Sequence, residues 1–340
     1  MRRIAITVLI TALTCLGQEP APPAGAAAGP AAAAPAAGRG GAPARPSNEQ
    51  LGLDIDRFIG YPSAKTAHLS HGTLLTHSIL RNGDPYKPGP QGNVLEYRKE
   101  LVTATLLPGG ETPLSTLPDA FFFYVKSGEG RLDDGKKSWD LREGVAILAP
   151  PNVAHRFLNT SRDKELSMIM LQFTGAPEAK NELIVRDVPK LPWCEENAHW
   201  NNASRCVFSA ADGLLQGERI YLVMLRPWAV SQPHSHVPGT EEIWTKVTPG
   251  NAVMLLGSEL RDMPENTAYL VPPTGTLDHS NLNLSKDKTE WWIYIARGPA
   301  PAPGAAPGGR GGRGGGGRGN ANPNLSRDTT SATIAGKPLK

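Results

Sequence analysis

The chain has 340 residues, with 39% hydrophobic and 20% charged residues and a formal net charge of +3 at pH 7. This length is sufficient for two domains of ordinary size, each with its own core. A net charge of +3 is too small to indicate a polyanionic partner, so we predict that the chain does not bind nucleic acid.

Residues 1–17 have the layout of a secretory signal peptide. Arg2 and Arg3 precede an apolar run that extends from Ile4 to Leu16. This run is too short to cross a membrane as a helix. We therefore predict a secreted or periplasmic protein that has no membrane span after removal of the signal peptide.

Two further segments have too few large apolar side chains to form a core. Residues 18–46 consist mostly of Ala, Pro and Gly, and residues 299–340 are rich in Gly and Arg. These compositions predict an extended linker and a disordered tail. Arg-Gly repeats can bind RNA, but a flexible tail is the preferred interpretation in an exported chain.

Only Cys194 and Cys206 remain after removal of the signal peptide. In an oxidising compartment a disulfide between them would close a short loop and stabilise the fold by on the order of 3 kcal/mol. Two unpaired thiols that lie too far apart to bridge are the alternative.

A β-rich pattern occurs twice in the chain. Short runs of strand-forming residues, separated by Gly, Pro and Asn, fill 93–175 and return in the same order in 219–297. The phrase Ala-Ile-Leu-Ala-Pro-Pro at 146–151 matches Ala-Tyr-Leu-Val-Pro-Pro at 268–273. Regular short strands of this kind predict antiparallel sandwiches or barrels, and repeats of this size predict two similar domains.

The second repeat contains the residue types of a metal site. His234 and His236 are alternate residues of an extended segment and therefore point to the same side. Glu241 and Glu242 follow, and His279 lies downstream. Three imidazoles and one carboxylate suit divalent Fe, Mn, Ni, Cu or Zn, and the residues alone do not choose among these metals.

The spacing of these residues resembles the cupin family, and the resemblance covers both repeats, as in a bicupin. The second repeat keeps the His-x-His pair of the first cupin motif at 234–236. It also keeps the His-x-x-x-Asn ending of the second motif at His279 and Asn283. Trp228 and Asn266 stand in two of the glycine slots. In this half the ligands have been retained, while the scaffold glycines have changed.

The first repeat shows the reverse pattern. Ser115, Leu117 and Phe121 occupy ligand slots, so that His155 is the only ligand-type residue left. The scaffold positions are kept, with Asn replacing Gly at 152, an exchange that the left-handed conformation tolerates. We predict a filled, apolar barrel in which His155 has no partner and binds no metal. The remaining histidines, at 68, 71 and 77, are expected on the surface or in packing roles.

The sequence does not decide whether Glu241 or Glu242 is the carboxylate ligand. Glu241 has the family spacing from His236, whereas Glu242 fits the phrase Glu-Glu-Ile-Trp if the loop contains one inserted residue. Alternation along a strand allows only one of the two to face inward. We favour Glu242, which gives the predicted ligand set His234, His236, Glu242 and His279.

The resemblance implies an all-β fold of two jelly-roll barrels. We place the N-terminal domain at 47–180, an interdomain connection at 181–218 and the C-terminal domain at 219–298. The resemblance further implies a metal-dependent enzyme that acts on a small molecule, since oxygenases and isomerases are common among cupins, and it also implies a homodimer. The alternative is a non-catalytic protein that binds a metal or a small ligand. The sequence identifies no catalytic residue and no substrate.

Overall fold

The computed structural model describes residues 46–63, 66–177, 179–194, 202–250 and 252–298. The predicted signal peptide, the predicted tail and all but the last residue of the predicted linker lie outside these ranges. Within the described residues, no helix is long and apolar enough to cross a membrane.

The N-terminal barrel consists of two facing sheets. After the short strand β1 (Ile59–Gly60), its strands are β2 (Ala67–Ser70), β3 (Leu74–Asn82), β4 (Asn93–Leu95), β5 (Arg98–Leu106), β6 (Ala120–Ser127), β7 (Gly130–Asp133), β8 (Ser138–Leu141), β9 (Val145–Ala149), β10 (Arg156–Asn159), β11 (Leu166–Phe173) and β12 (Ile184–Asp187). The larger sheet has the order β12-β9-β6-β11-β5-β3-β2, with β4 parallel to β3. The smaller sheet has the order β10-β7-β8.

The C-terminal barrel repeats this arrangement. Its strands are β13 (Asn202–Ser209), β14 (Arg219–Leu225), β15 (Glu241–Lys246), β16 (Ala252–Leu256), β17 (Glu259–Met263), β18 (Ala268–Val271), β19 (His279–Leu282) and β20 (Glu290–Arg297). One sheet has the order β1-β18-β15-β20-β14-β13 and the other β17-β16-β19. The described residues also include three 3-10 helices: Ile55–Phe58 precedes β1, while Val188–Lys190 and Ala210–Asp212 connect strands. The predicted all-β fold with two jelly-roll barrels is confirmed for the described residues.

An apolar cluster joins the two barrels because β6 is buried on both faces. Phe121 and Phe123 belong to the core of the N-terminal barrel, while Phe122 and Tyr124 belong to the cluster that extends into the C-terminal barrel. Successive side chains of a strand point to opposite faces, so one apolar run serves both cores. Phe122 contacts Phe208 of β13 edge to face, with ring centroids 6.0 Å apart.

The segments outside the two repeats tie the barrels together. The leading segment contributes β1 to the C-terminal barrel, where it pairs with β18. The segment 181–218, which the sequence suggests as a connection, contributes β12 to one barrel and β13 to the other. A disulfide joins Cys194 to Cys206. The domain limits given above remain a prediction.

Candidate metal centre

Three histidines meet at the mouth of the C-terminal barrel. His234 lies in the extended segment before β15 and pairs with His279 of β19 through two backbone hydrogen bonds, of 3.3 and 3.0 Å. His236 follows two residues later, so its side chain lies on the same side as that of His234. One nitrogen from each of the three imidazoles lies within 4.8 Å of the other two.

Glu242 completes this group. Its Oε2 is 2.6 Å from Nε2 of His236, and its Oε1 is 2.8 Å from Nε2 of His279. Glu241 points away from the histidines, and its carboxylate accepts from Arg98 of the N-terminal barrel at 2.6 Å. Of the two carboxylates left open by the sequence, the structure therefore brings Glu242 to the histidines.

The duplicated register places Glu242 in the same position as Phe121. Phe121 pairs with Ala149, the residue before Pro150-Pro151, and Glu242 pairs with Val271, the residue before Pro272-Pro273. The bridge between His234 and His279 likewise has its counterpart in a bridge between Ser115 and His155. The ligand slots of the two repeats therefore correspond in the structure, although the side chains in them differ.

Neighbouring groups fix the orientation of two of these side chains, Glu242 and His234. Trp244 Nε1 donates to Glu242 Oε1 at 2.6 Å, and the Tyr294 hydroxyl donates to Glu242 Oε2 at 3.2 Å. His234 Nδ1 lies 2.8 Å from the carbonyl oxygen of Gln232. Because a carbonyl oxygen only accepts, Nδ1 carries the proton and Nε2 keeps its lone pair for a metal.

The charges of the site are strongly coupled. Burial alone would raise the pKa of Glu242, but His236 and His279 hold it well below the ordinary value, so Glu242 is ionised. Burial would lower the pKa of His236, but the Glu242 carboxylate outweighs it and the pKa is raised. Burial and the nearby Glu242 charge raise the pKa of Tyr294, which therefore stays protonated.

These residues fit a divalent transition metal. The Nε2 atoms of His236 and His279 are buried and lack a hydrogen-bond partner of acceptable geometry within the described residues, although Glu242 oxygens lie close to both. Nitrogen and oxygen donors that converge without satisfying one another are what a metal ion would complete.

The N-terminal barrel contains a feature that the sequence analysis missed. The expectation that His155 has no partner is wrong, because Nε2 of His71 lies 3.1 Å from Nε2 of His155. His71 reaches into the barrel from the turn between β2 and β3, outside the repeat. His155 Nδ1 donates to the carbonyl oxygen of Val153 at 2.9 Å, so its Nε2 accepts from His71. The Ser70 hydroxyl, 2.7 Å away, then donates to His71 Nδ1.

The other histidines lie outside both sites. His68 is exposed, and His77 is half-buried with Nδ1 at 2.7 Å from the Ser63 carbonyl oxygen. The apolar part of the prediction agrees with the structure, since Phe121 is 3% exposed and Leu117 packs against the N-terminal core.

Three residues of the C-terminal site were not assigned from the sequence. Trp244 is two residues after Glu242, so strand alternation alone puts it on the same face. Tyr294 and Arg219 reach the site from β20 and β14, which requires knowledge of the strand order. Arg219 Nη2 and Nε donate to the Tyr294 hydroxyl oxygen at 2.9 and 3.3 Å.

Comparison with known proteins gives a family and a fold. Residues 102–171 match the family model of the cupin domain. AerE from Microcystis aeruginosa superimposes with a TM-score of 0.53 at 14% identity, over 71% of this chain and 100% of that chain. Oxalate decarboxylase from Bacillus subtilis gives 0.52 at 12% identity, over 71% and 76%. Oxalate decarboxylase from Lactobacillus farciminis gives 0.51 at 12% identity, over 71% and 86%.

At these identities the similar structures show the fold alone. No curated protein matches the chain. The matched cupin model lies in the N-terminal barrel, and the C-terminal barrel repeats the same strand pairing around the three histidines. The N-terminal barrel therefore contains a cupin domain, and the C-terminal barrel has the corresponding strand pairing.

Proposed function

We propose that the C-terminal barrel binds one divalent transition metal ion through His234, His236, Glu242 and His279, and that the protein is an exported metal-dependent enzyme acting on a small molecule. The convergence of three imidazole nitrogens within 4.8 Å is the observation that carries this proposal. The carboxylate of Glu242 beside them gives the nitrogen and oxygen set that Fe, Mn, Ni, Cu and Zn accept.

A metal bound there would supply Lewis-acid polarisation of a substrate oxygen and, if redox-active, dioxygen chemistry. This range of chemistry supports an oxygenase or an isomerase. The protein's own residues orient the predicted metal ligands. Trp244 and Tyr294 hold the Glu242 carboxylate, and the Gln232 carbonyl oxygen fixes the tautomer of His234.

His234 and His236 are partly exposed, whereas the other two predicted ligands are buried. The side chain of His236 is 19% exposed, whereas those of His279 and Glu242 are 2% and 1% exposed. A small molecule would therefore approach past His234 and His236, and buried aromatic side chains beneath the site would exclude water from the opposite direction.

Two observations support the rest of the proposal. The disulfide between Cys194 and Cys206 is typical of proteins folded in an oxidising compartment, which favours export to the periplasm or the medium. The N-terminal barrel has Ser115, Leu117 and Phe121 in its ligand slots, so a single metal per chain is expected. A homodimer remains part of the proposal by resemblance.

The first experiment measures metal content and identity in protein purified without added metal. The wild-type chain should contain close to one transition metal ion, and His234→Ala/His236→Ala should contain almost none. His68→Ala/His77→Ala removes two histidines outside the site and should match the wild type. Equal metal content in all three proteins would overturn the proposal.

A second measurement separates an enzyme from the alternative, a non-catalytic protein that binds a metal or a small ligand. The metal-loaded protein is incubated with a panel of small hydroxylated substrates, and oxygen uptake and product formation are followed. Turnover by the wild type, absent from the double histidine variant, supports the enzyme. Binding without turnover across the panel supports the binding protein.

A further inference from the structure

Arg219 lies in the same row of side chains as Glu242. Strand β20 pairs with β14 on one side and with β15 on the other, so that Ala296 is opposite both Arg219 and Glu242. Residues directly opposite one another on paired strands face the same side of the sheet. Since Glu242 faces the histidines, Arg219 projects into the same mouth of the barrel, and only the methyl group of Ala296 lies between them.

The charge of Arg219 has no carboxylate partner. Within the described residues no Asp or Glu lies at ion-pair distance from its guanidinium group, and the hydrogen bonds that it donates go to the Tyr294 hydroxyl oxygen. Both Nε and Nη2 donate to this one oxygen atom, so the N–H groups of Nη1 can donate to another acceptor. The half-buried Arg186, by comparison, is paired with Asp212.

Glu242 does not serve as that acceptor, because its two oxygens are already engaged. Oε1 contacts His279 and Trp244, and Oε2 contacts His236 and the Tyr294 hydroxyl. Tyr294 thus donates to Glu242 and accepts from Arg219, which keeps the guanidinium group next to the four predicted ligands without an ion pair between Arg219 and Glu242. A partly buried cation arranged in this way favours an anion from solution.

The total charge at the mouth of the C-terminal barrel also favours an anionic ligand. Glu242 contributes one negative charge, a divalent ion would contribute two positive charges, and Arg219 adds one more. The remaining excess of about two positive charges favours an anionic ligand. Glu218 and Glu241 both pair with the buried Arg98 of the N-terminal barrel and do not contact Arg219 or the histidines.

We propose that Arg219, oriented by the Tyr294 hydroxyl, binds the carboxylate of a small organic acid at the mouth of the histidine–glutamate site. The planar guanidinium group matches a carboxylate in shape and charge. This inference rests on the proposed metal site and deepens it, because it assigns the substrate to the class of small carboxylic acids.

The experiment uses the full chain loaded with Co²⁺, whose visible absorption reports ligands that reach the metal. Glycolate and glycolamide have the same size and differ in charge, and each is titrated into the wild type and into Arg219→Gln. The variant should bind glycolate about tenfold to a hundredfold more weakly than the wild type, with an unchanged affinity for glycolamide. Arg219→Lys keeps the positive charge but lacks the planar guanidinium group, so its affinity for glycolate should lie between those of the wild type and Arg219→Gln.

Arg226→Gln is the matched control, because Arg226 is exposed just beyond the other end of β14. It should bind glycolate as the wild type does. Wild-type glycolate affinity in Arg219→Gln would overturn the inference. Loss of Co²⁺ from Arg219→Gln would also overturn it, because Arg219 would then act only through Tyr294 and Glu242. If the wild type takes up no Co²⁺, the proposed metal site is wrong. The inference about Arg219, which rests on that site, is then wrong as well.

Discussion

Glu241 and Glu242 are consecutive residues of β15, and their carboxylates point in opposite directions. Glu242 lies between His236 and His279 inside the C-terminal barrel, while Glu241 contacts Arg98 of the N-terminal barrel. Side-chain alternation makes this separation obligatory. The same two residues therefore serve the predicted metal site and the contact between barrels.

Exchanging either glutamate for glutamine tests this division. Glu242→Gln keeps the side-chain size but loses the charge of a predicted ligand, so Zn²⁺ affinity should fall by about a hundredfold or more. Glu241→Gln should leave the affinity within a few-fold of wild type, because this residue faces the other barrel. A chelator-competition titration measures both. A larger loss of affinity in Glu241→Gln than in Glu242→Gln would reverse the assignment.

Removing Arg98 should strongly destabilise the fold. Its guanidinium group is 1% exposed and pairs with both Glu218 and Glu241, whose side chains are 4% and 3% exposed. Arg98→Met would leave two buried carboxylates without a cation, at a cost of about 3–5 kcal/mol in the free energy of unfolding. Urea unfolding of the metal-free protein measures this.

Two further variants show whether charge is the cause. Lys126→Met removes another contact between the barrels, to Glu265, whose side chain is 34% exposed. It should cost only about 1 kcal/mol because solvent screens the remaining charge. Adding Glu218→Gln and Glu241→Gln to Arg98→Met should restore part of the lost stability. A triple variant less stable than Arg98→Met would show that packing, not charge, dominates.

The two repeats and the site residues within them could be predicted from the sequence because they depend on local spacing. The Pro-Pro phrases directly follow β9 and β18, and the His-x-His pair is recognised from two alternate residues. Contacts between distant segments could not be predicted in this way. Arg219 reaches Tyr294, and His71 reaches His155, only because of strand order, which no local pattern contains. The choice between Glu241 and Glu242 likewise depended on strand register and on Arg98.

The His71–His155 pair should make stability depend on pH. Burial, with a smaller contribution from His155, lowers the pKa of His71 to about 3 from an ordinary value of 6.5. Between these values the unfolded chain binds the additional proton. The stability contributed by neutral His71 is therefore complete above about pH 6.5 and is lost as the pH falls toward 3, at up to about 1.4 kcal/mol per pH unit.

His71→Asn is a suitable variant because His71 has a φ of +50°, which asparagine tolerates. The variant should be less stable than the wild type at pH 7, and the difference should narrow as the pH falls from 6 to 4. Urea unfolding in the presence of a chelator measures the free energy at each pH. His68→Asn, at an exposed position, should show no such narrowing. A constant difference between His71→Asn and wild type would exclude His71 as the titrating group.

The glycine slots of the cupin motif identified the left-handed positions even where glycine has been replaced. Gly109 has a φ of +66°, and Trp228 in the corresponding slot has +59°. Gly144 has +85°, and Asn266 in the corresponding slot has +66°. The scaffold therefore kept its backbone conformation when the side chains changed. Asparagine adopts this conformation at small cost, whereas tryptophan does not.

At position 228 the glycine variant should consequently be more stable than the alanine variant, which is the reverse of the usual order. Its side chain is 66% exposed, so Trp228→Gly and Trp228→Ala lose the same small amount of packing. They differ in the Cβ, which at this φ costs about 1 kcal/mol. The glycine variant should therefore be the more stable one by about 1 kcal/mol in urea unfolding. At the neighbouring exposed Leu284, where φ is not positive, alanine should be the more stable substitution, as is usual. Greater stability of Trp228→Ala than of Trp228→Gly would mean that the slot carries no strain and that the tryptophan is there without conformational cost.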